Sequence, residues 1–461
     1  MKLTTYLAEL LVKFKDKRIR QNITSLVQKI IEQHSIQLWT MAEDKAEFER
    51  YRNVLNGRLE SVLDEAKISE ALRQAGVAAL SDQPRLILLH DPCDIRKEHA
   101  AVMENLGLVR DLDGKLVPGY ETFNTVAVTP DKKTLRLLDL TVYSNGDEHF
   151  VSQAELTAWE KGKLEQSTVA GDQQRATQIA QYVAEDSYVN LRRVTQQQLQ
   201  RVHDALKAEQ PDRQLCHVLD RQFDGEPTFT FIDQTLADEF IIRLKVSRNT
   251  PENLAVPDED NQEVAAKLKA APLPHRHRQI LHKIIVKKKV YQQAQCILEW
   301  GTVILDERTY TLVRVTLLSR EGKPLYKQPL LLLTNIFVPD ATHAKAIYAT
   351  YLMRAKIENV FKFLKDSLGW EDFQVRDFES IKNLIALCFF VGEYFFEMEP
   401  ALADHPVIAL IAQLGRGKGQ VTRHFFLEGL RVLLIHQAVD QFLAANQVDD
   451  DLYNAMLDFV R

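Results

Sequence analysis

Apolar and polar positions alternate with different periods along the chain, and each period predicts a kind of element. Residues 1–75, 152–209 and 380–461 have the composition and spacing of helices. Two short apolar runs, Arg85–Asp91 and Gln214–Asp220, predict buried central strands that each end in a carboxylate. Residues 123–143 hold two β-rich runs on either side of a Pro-Asp turn, which predicts a hairpin.

The segment Tyr351–Lys365 has no Pro or Gly and predicts a continuous helix. At about 100° per residue, one side of this helix is apolar. An adjacent stripe carries a phenol, a guanidinium, a carboxylate and an ammonium, from Tyr351, Arg354, Glu358 and Lys365. Spacing alone also allows a simpler interpretation, in which Arg354 and Glu358 form an i,i+4 surface ion pair.

Three carboxylates stand at the ends of these predicted elements: Asp91, Asp220 and Glu358. Parallel strands that end in Asp91 and Asp220 would place both acids at one sheet edge, and a helix packed on that sheet would add Glu358. Oxygen ligands of this kind are those that Mg²⁺ or Mn²⁺ prefers, and two such ions support in-line attack at a phosphate. Each aspartate alone is also common as a turn residue or N-cap. Asp94 is a rival for the first acid, but Asp91 follows the strand directly.

Composition and charge bound the class of protein. A chain of 461 residues predicts two to four domains, and 45% hydrophobic with 26% charged residues is ordinary for globular proteins. No apolar run is long enough to span a bilayer, and the four cysteines form no C-x-x-C pair, so we expect a cytoplasmic protein. The net charge of −6 argues mildly against nucleic acid, but residues 13–20 and 275–289 are locally basic. Each basic segment is either a contact to phosphate backbone or a solvated face.

Together these residues resemble a known family. Tyr351–x2–Arg354–x3–Glu358–x6–Lys365 is similar to the YREK signature of bacterial cut-and-paste DDE transposases of the insertion-sequence type. The segment D-R-Q-F-D at 220–224 resembles that family's D-R-E-A-D, with Gln222 and Phe223 as departures. L-L-L-T-N at 331–335 resembles the strand before the signature helix, although Leu330 stands where the family often has a base-stacking Trp.

The resemblance implies an α/β fold: an RNase H-like core with a β-rich insertion domain, flanked by N-terminal and C-terminal helical domains. We expect a helical DNA-binding domain at 1–75, the first part of the core at 76–240 and the insertion at 241–336. The second part of the core would follow at 337–378, and a helical, dimerising region at 379–461. The implied metal-binding and catalytic residues are Asp91, Asp220 and Glu358. The expected DNA contacts are Tyr351, Arg354, Lys365, Arg221, Arg243, Lys245, Arg248, Lys287, Lys288 and Lys289. For Arg243, Lys245 and Arg248 a solvated strand edge is an open alternative.

The function that the resemblance implies is excision of a mobile DNA element by metal-dependent end nicking, hairpin formation and strand transfer. It implies Mg²⁺ or Mn²⁺, with two ions, double-stranded DNA as substrate, a homodimer on paired ends, and action at the bacterial nucleoid. Two other interpretations stay open: a catalytically inactive or domesticated derivative that occupies transposon ends, and a nuclease of the same fold without strand transfer.

Overall fold

The computed structural model describes residues 2–56, 63–249, 267–286, 289–305, 307–401, 405–416, 421–448 and 452–453. It opens with five helices. Asp16, Asp44 and Asp64 accept hydrogen bonds from backbone N–H groups in the first turns of the second, fourth and fifth, which explains where these helices begin. The helices are Leu3–Leu11, Lys17–Gln33, Leu38–Met41, Lys45–Leu55 and Glu65–Ala79 (α1–α5).

The described strands form one mixed sheet. The first four strands are Arg85–Arg96, Gly107–Arg110, Leu116–Val128 and Leu135–Tyr143 (β1–β4). The remaining six are Gln214–Leu219, Glu239–Arg243, His275–Val286, Lys289–Leu305, Arg308–Leu318 and Leu330–Thr334 (β5–β10). Their order in the sheet is β2-β3-β1-β5-β6-β10-β9-β8-β7, with β4 paired to β3. The predicted hairpin is present, as β3 and β4 pair antiparallel.

Both faces of β1 are buried, which explains its unbroken apolar run. Ile87 and Leu89 join the core that contains the N-terminal helices, whereas Leu86 and Leu88 pack with Leu206 on the opposite face. A strand covered on both sides needs apolar residues at every position. The opposite face is covered by the last of three helices found within the segment 152–209, which was predicted to be helical. They are Gln153–Glu160, Ala170–Ala184 and Leu191–Glu209 (α6–α8).

The β-rich insert continues the core sheet. β10 pairs antiparallel with β6 on one side and with β9 on the other, and β8 and β7 follow outward. The predicted boundary between residues 240 and 241 therefore falls inside β6, and β10 belongs to the same hydrogen-bonded sheet as the parallel strands. A short helix, Glu226–Thr230 (α9), lies between β5 and β6.

The described residues after β10 are mostly helical. The helix Phe378–Met398 is apolar around most of its circumference and is buried, as expected of a helix without a polar face. It shares a core with the N-terminal helices: Tyr6 donates to the carbonyl of Phe390 at 2.7 Å, and Asn383 donates to the carbonyls of Leu55 and Leu63. The helices after β10 are Ala341–Leu352, Ala355–Leu368, Phe378–Met398, Pro406–Leu414 and Arg423–Ala445 (α10–α14). Within the described ranges, no helix is long and apolar enough to cross a membrane.

Candidate active site

Asp91 and Asp220 lie side by side where β1 and β5 stop pairing. The parallel register places Leu89 of β1 opposite Val218 of β5. Asp91 lies two residues after Leu89, and Asp220 lies two residues after Val218. Side chains alternate across a strand, so Asp91 faces the same side as Leu89, and Asp220 the same side as Val218. Leu89 and Val218 both belong to the core that contains α11.

Asp91 lies inside β1, so the prediction that this strand ends at Asp91 is wrong. β1 continues to Arg96 because β3 still pairs with it there, with Asp91 opposite Asn124 and Arg96 opposite Gly119. On its other side, β5 pairs with β1 only as far as Leu89. Beyond that point β1 has one neighbour, and an edge position tolerates the missing N–H of Pro92.

Glu358 comes to this site from the first turn of α11, on the face of the sheet that bears both aspartates. Arg354 joins the acids: its Nη1 donates to Oδ2 of Asp91 at 2.9 Å, and its Nη2 donates to Oε1 of Glu358 at 2.6 Å. The i,i+4 ion pair between Arg354 and Glu358 is therefore present, but Arg354 is not a surface residue, since its side chain is only 16% exposed.

The charges of the three acids interact. Burial raises the pKa of Asp91 to about 7, and the negative charges of Asp220 and Glu358 add to this rise, while Arg354 opposes it. Like charges held close together disfavour the ionised form, and an added cation relieves the repulsion. The cluster therefore has the electrostatic character of a cation site.

The prediction of one continuous helix from Tyr351 to Lys365 is wrong at Met353–Arg354. α10 ends at Leu352 and α11 begins at Ala355. Between them the backbone tightens to i→i−3 hydrogen bonds, in which the N–H groups of Met353 and Arg354 reach the carbonyls of Thr350 and Tyr351. In such a turn residues i and i+3 eclipse, so Tyr351 and Arg354 lie one above the other. Tyr351 and Met353 are both buried, although they would project about 200° apart on a regular helix.

Tyr351 and Arg243 form the wall of the site beside Asp220. Both side chains line the same cavity, and Nη1 of Arg243 lies 3.6 Å from Oδ1 of Asp220. Burial raises the pKa of Tyr351, and the charge of Asp220 adds to the rise. Next to this wall is a cavity of about 400 Å³, whose lining includes Leu330 and the aromatic rings of Tyr326 and Tyr348.

Lys365 fastens α11 to the distal half of β1. Its Nζ donates to the carbonyl of Asp94 at 2.6 Å and to Oε1 of Glu371 at 3.0 Å. The carboxylate of Asp94 accepts from the backbone N–H of Arg110, and Asp94 pairs with Glu121 in the sheet. Because Asp94 is three residues from Asp91, strand alternation turns it to the other face. The structure brings Asp91, and not Asp94, together with Asp220 and Glu358.

The other predicted DNA contacts are scattered. Arg221 is exposed on the 3₁₀ turn after Asp220, and the side chain of Lys245 is exposed beside it. Arg248 is held internally, because it forms an ion pair with Asp224 and lies 5.7 Å from the ring centroid of Phe229. Lys289 begins β8 in an exposed position, whereas Lys287 and Lys288 lie outside the described residues.

A buried polar chain beneath the acids escaped sequence reasoning. His90, next to Asp91, is hydrogen-bonded to Thr125 at 2.9 Å and to His217 at 3.0 Å. His217 is hydrogen-bonded to Asp238 at 3.1 Å, and His203 reaches the same carboxylate at 2.7 Å. The chain crosses β3, β1 and β5 on the face opposite the acids. The sequence feature that could have revealed this chain is a histidine within each of two apolar strands, His90 in β1 and His217 in β5.

The carboxylates of Asp91, Asp220 and Glu358 are chemically suited to binding a divalent cation. Among the described residues, no three His, Cys, Asp or Glu side chains converge closely enough to hold a metal ion. Asp91 and Glu358 are instead engaged by Arg354, and Asp220 lies near Arg243. Three hard oxygen donors with mutual repulsion are nevertheless suited to Mg²⁺ or Mn²⁺, and Asp91, Asp220 and Glu358 are the residues that would hold it.

Comparison with known proteins agrees with this chemistry. Residues 176–391 match the family described as the transposase DDE domain. The match includes Asp220, Glu358 and the α10–α11 turn, and it begins after Asp91. No curated protein is similar enough to the chain to match it. The match, together with the large mixed sheet, supports the DDE transposase family for this chain and an enzyme of the transposase kind.

Proposed function

We propose that the protein is a DNA transposase of the bacterial insertion-sequence type with the YREK signature. It would excise a mobile element by nicking its ends, forming hairpins and transferring the freed strands into target DNA at the nucleoid. The observation that carries this proposal is the placing of Asp91 and Asp220 level on parallel strands, with Glu358 joined to Asp91 through Arg354. The transposase DDE domain match supports it over residues 176–391.

Asp91, Asp220 and Glu358 would hold Mg²⁺ or Mn²⁺, with two ions in the complete site. When bound there, such ions activate the attacking oxygen and stabilise the leaving oxygen of a phosphodiester. Asp91 and Asp220 supply charge from a rigid sheet, and Glu358 comes from a separate helix. The sheet fixes the spacing between the aspartates, which is the requirement for holding a phosphate in line with its nucleophile.

The cations around the acids would position the DNA end. Arg354 and Arg243 are the guanidinium groups nearest the acids, and a guanidinium binds a phosphate through two parallel hydrogen bonds. Arg221 and Lys245 are exposed beside Asp220 and would contact the backbone from that side. Lys365 is already bonded to the carbonyl of Asp94 and to Glu371, so we assign it to the support of α11 as well as to the field at the phosphate.

The cavity beside Tyr351 supports the hairpin step. A tight hairpin leaves a base unstacked, and aromatic rings stabilise such a base by stacking. Leu330 cannot stack, but Tyr326 and Tyr348 line the same cavity of about 400 Å³. Trp300 is buried and stacks on His275 instead, so it is a poor substitute for the missing Trp.

The C-terminal helices are the proposed dimer surface. From Val432 onwards α14 is mostly exposed, and its exposed apolar residues include Val432, Ile435, Val439 and Phe442. α13 packs against α14 and exposes Val407, Leu410 and Leu414. A surface of this kind is typical of a subunit interface, and pairing two copies would place two DNA ends in one complex.

The test is incubation of the protein with duplex DNA from the sequences flanking its gene, with Mn²⁺, followed by a denaturing gel. Strand-transfer products support the proposal, and Asp220→Asn is the matched control that should abolish them. Cleavage without transfer would indicate a nuclease. A mobility shift without cleavage would indicate a derivative that occupies ends, which is the interpretation favoured by the neutralisation of Asp91 and Glu358 by Arg354.

A further inference from the structure

Arg354 has an unusual position for a residue expected to contact DNA. It reaches the first and the third acid together, at 2.9 Å from Asp91 and 2.6 Å from Glu358. The guanidinium is therefore the main positive charge within the acid cluster.

A guanidinium and a divalent cation cannot occupy this cluster together at low cost. Both carry positive charge, and Arg354 already engages two of the carboxylates that would hold the metal, through Oδ2 of Asp91 and Oε1 of Glu358. Charges of one sign a few ångströms apart repel, and water screens this repulsion poorly at Asp91 and Arg354, which are 14% and 16% exposed. A metal ion that binds Asp91 and Glu358 must therefore displace Arg354.

Displaced from the acids, Arg354 needs a new anion. Its side chain is largely buried, at 16% exposed, and an unpaired guanidinium there would be costly. A phosphate of the DNA backbone is suitable, because it accepts the same two parallel hydrogen bonds that Arg354 now shares between two carboxylates. The position of Arg354 in the turn between α10 and α11 lets it swing without breaking either helix.

We propose that Arg354 is an internal counter-cation that holds Asp91 and Glu358 until a DNA phosphate removes it, so that DNA and metal bind cooperatively. This inference rests on the proposed function. Because coupling is reciprocal, the metal should also tighten binding of the DNA. The acids would then be loaded with metal chiefly in the presence of substrate, which restrains the site from attacking other bonds. Arg354 acts here as a positioning residue.

The test measures Mn²⁺ binding to the full chain without DNA, by the electron paramagnetic resonance signal of free Mn²⁺. Arg354→Ala should bind Mn²⁺ about tenfold more tightly than the wild type, within the range usual for coupled sites. The control is Lys356→Ala, which removes the same charge two residues away, in the first turn of α11; Lys356 donates to the carbonyl of Lys132. Its Mn²⁺ affinity should change less than twofold.

Two further variants keep the test decisive. Arg354→Gln retains most of the side-chain volume and replaces Arg354→Ala if that variant melts earlier than the wild type. Arg354→Ala combined with Asp91→Asn should lose the gain, because the gain runs through Asp91. Unchanged or weaker Mn²⁺ affinity in both single variants would overturn the inference.

The second arm adds a duplex carrying the DNA that flanks the gene. Mn²⁺ should bind the wild type more tightly with the duplex than without it, and Arg354→Ala should show little difference. Mn²⁺ affinity is read without cleavage, so the two proposals fail separately. Tighter Mn²⁺ binding by Arg354→Ala in a protein that cuts no DNA would uphold the counter-cation and overturn transposition. DNA strand transfer with no change in Mn²⁺ affinity would do the reverse.

Discussion

At the scale of single residues, Asp91 and Asp94 illustrate how strand alternation decides chemistry. They are three positions apart, so they face opposite sides of β1. Asp91 forms an ion pair with Arg354 and interacts electrostatically with Asp220 and Glu358. Asp94 instead accepts a hydrogen bond from the backbone N–H of Arg110 and pairs with Glu121 in the sheet. The carboxylate that shares a face with the other two acids is the one expected to act.

Asp91→Asn should therefore reduce DNA cleavage by roughly a hundredfold or more, the order of loss that follows from mispositioning a reacting group. Asp94→Asn should retain cleavage within a fewfold. The measurement is single-turnover cleavage of end DNA, beside a melting curve for each variant. Loss of cleavage in Asp94→Asn, with normal cleavage in Asp91→Asn, would mean that the first acid is Asp94.

Glu65 offers a test of stability at the same scale. Its carboxylate accepts from the backbone N–H of Val142 at 2.7 Å, and burial raises its pKa from 4.5 to about 7. Between these values the unfolded chain releases a proton that the folded protein keeps. The contribution of Glu65 to the free energy of unfolding should therefore be largest below about pH 4.5. It should fall by up to about 3 kcal/mol as the pH rises to about 7.

Glu65→Gln removes that proton exchange, so its unfolding free energy should vary less with pH between about 4.5 and 7. Denaturant titrations at several pH values measure the slope. Glu70→Gln is the control on the same helix, since the side chain of Glu70 is 50% exposed. Equal pH slopes in wild type and Glu65→Gln would show that Glu65 ionises normally in the folded state.

At the scale of elements, the α10–α11 pair depends on contacts that are distant in sequence. The turn at Met353–Arg354 aims Arg354 at Asp91, and Lys365 anchors the other end of α11 to β1 and Glu371. Arg354 and Lys365 belong to the signature that is expected to contact DNA, and in this chain they also form internal contacts with β1 and Glu371. The acids keep their spacing because both ends of the element are tied to the sheet.

Lys365→Met should accordingly lower the free energy of unfolding by about 1–3 kcal/mol without any DNA, because the carbonyl of Asp94 and the carboxylate of Glu371 lose their shared donor. Chemical denaturation of the free protein measures this. Lys362→Met on the exposed side of α11 should change stability by about 0.5 kcal/mol or less. Equal effects of the two substitutions would leave Lys365 with a role in DNA contact alone.

At the scale of the whole molecule, the N-terminal helices, one face of the sheet, α11 and α12 form a single hydrophobic core. The exposed apolar residues of α13 and α14 do not belong to this core, because their side chains are accessible to solvent. The molecule thus joins its predicted DNA-binding helices to the site through shared packing, and leaves one end available for association.

Phe442→Asp combined with Val439→Asp should shift the protein from dimer to monomer, since charges on the exposed apolar side of α14 oppose its burial. Light scattering after size-exclusion chromatography gives the mass, and the melting temperature should stay within a few degrees because both side chains are exposed. A wild type that is monomeric both alone and on DNA would contradict the proposed interface.

The sequence by itself predicted the central strands and most of the helices, and it offered Asp91, Asp220 and Glu358 as a set of acids. Continuous apolar runs in β1 and β5 required strands covered on both faces, and alternation then fixed which side each acid faces. Strong local patterns placed Asp91, Asp220 and Glu358 on their elements, and the family resemblance implied that they act together. The family match over residues 176–391 includes Asp220 and Glu358.

Only the tertiary structure decided which cationic side chains lie beside those acids. The turn at Met353–Arg354, the bridge from Arg354 to Asp91, and the His90–His217–Asp238 chain all join residues far apart in sequence. The spacing along a helix cannot predict a break that arises from packing α11 against the sheet. Local periodicity specifies elements and faces, whereas the partners of a buried charge depend on which segments the fold brings within hydrogen-bonding distance.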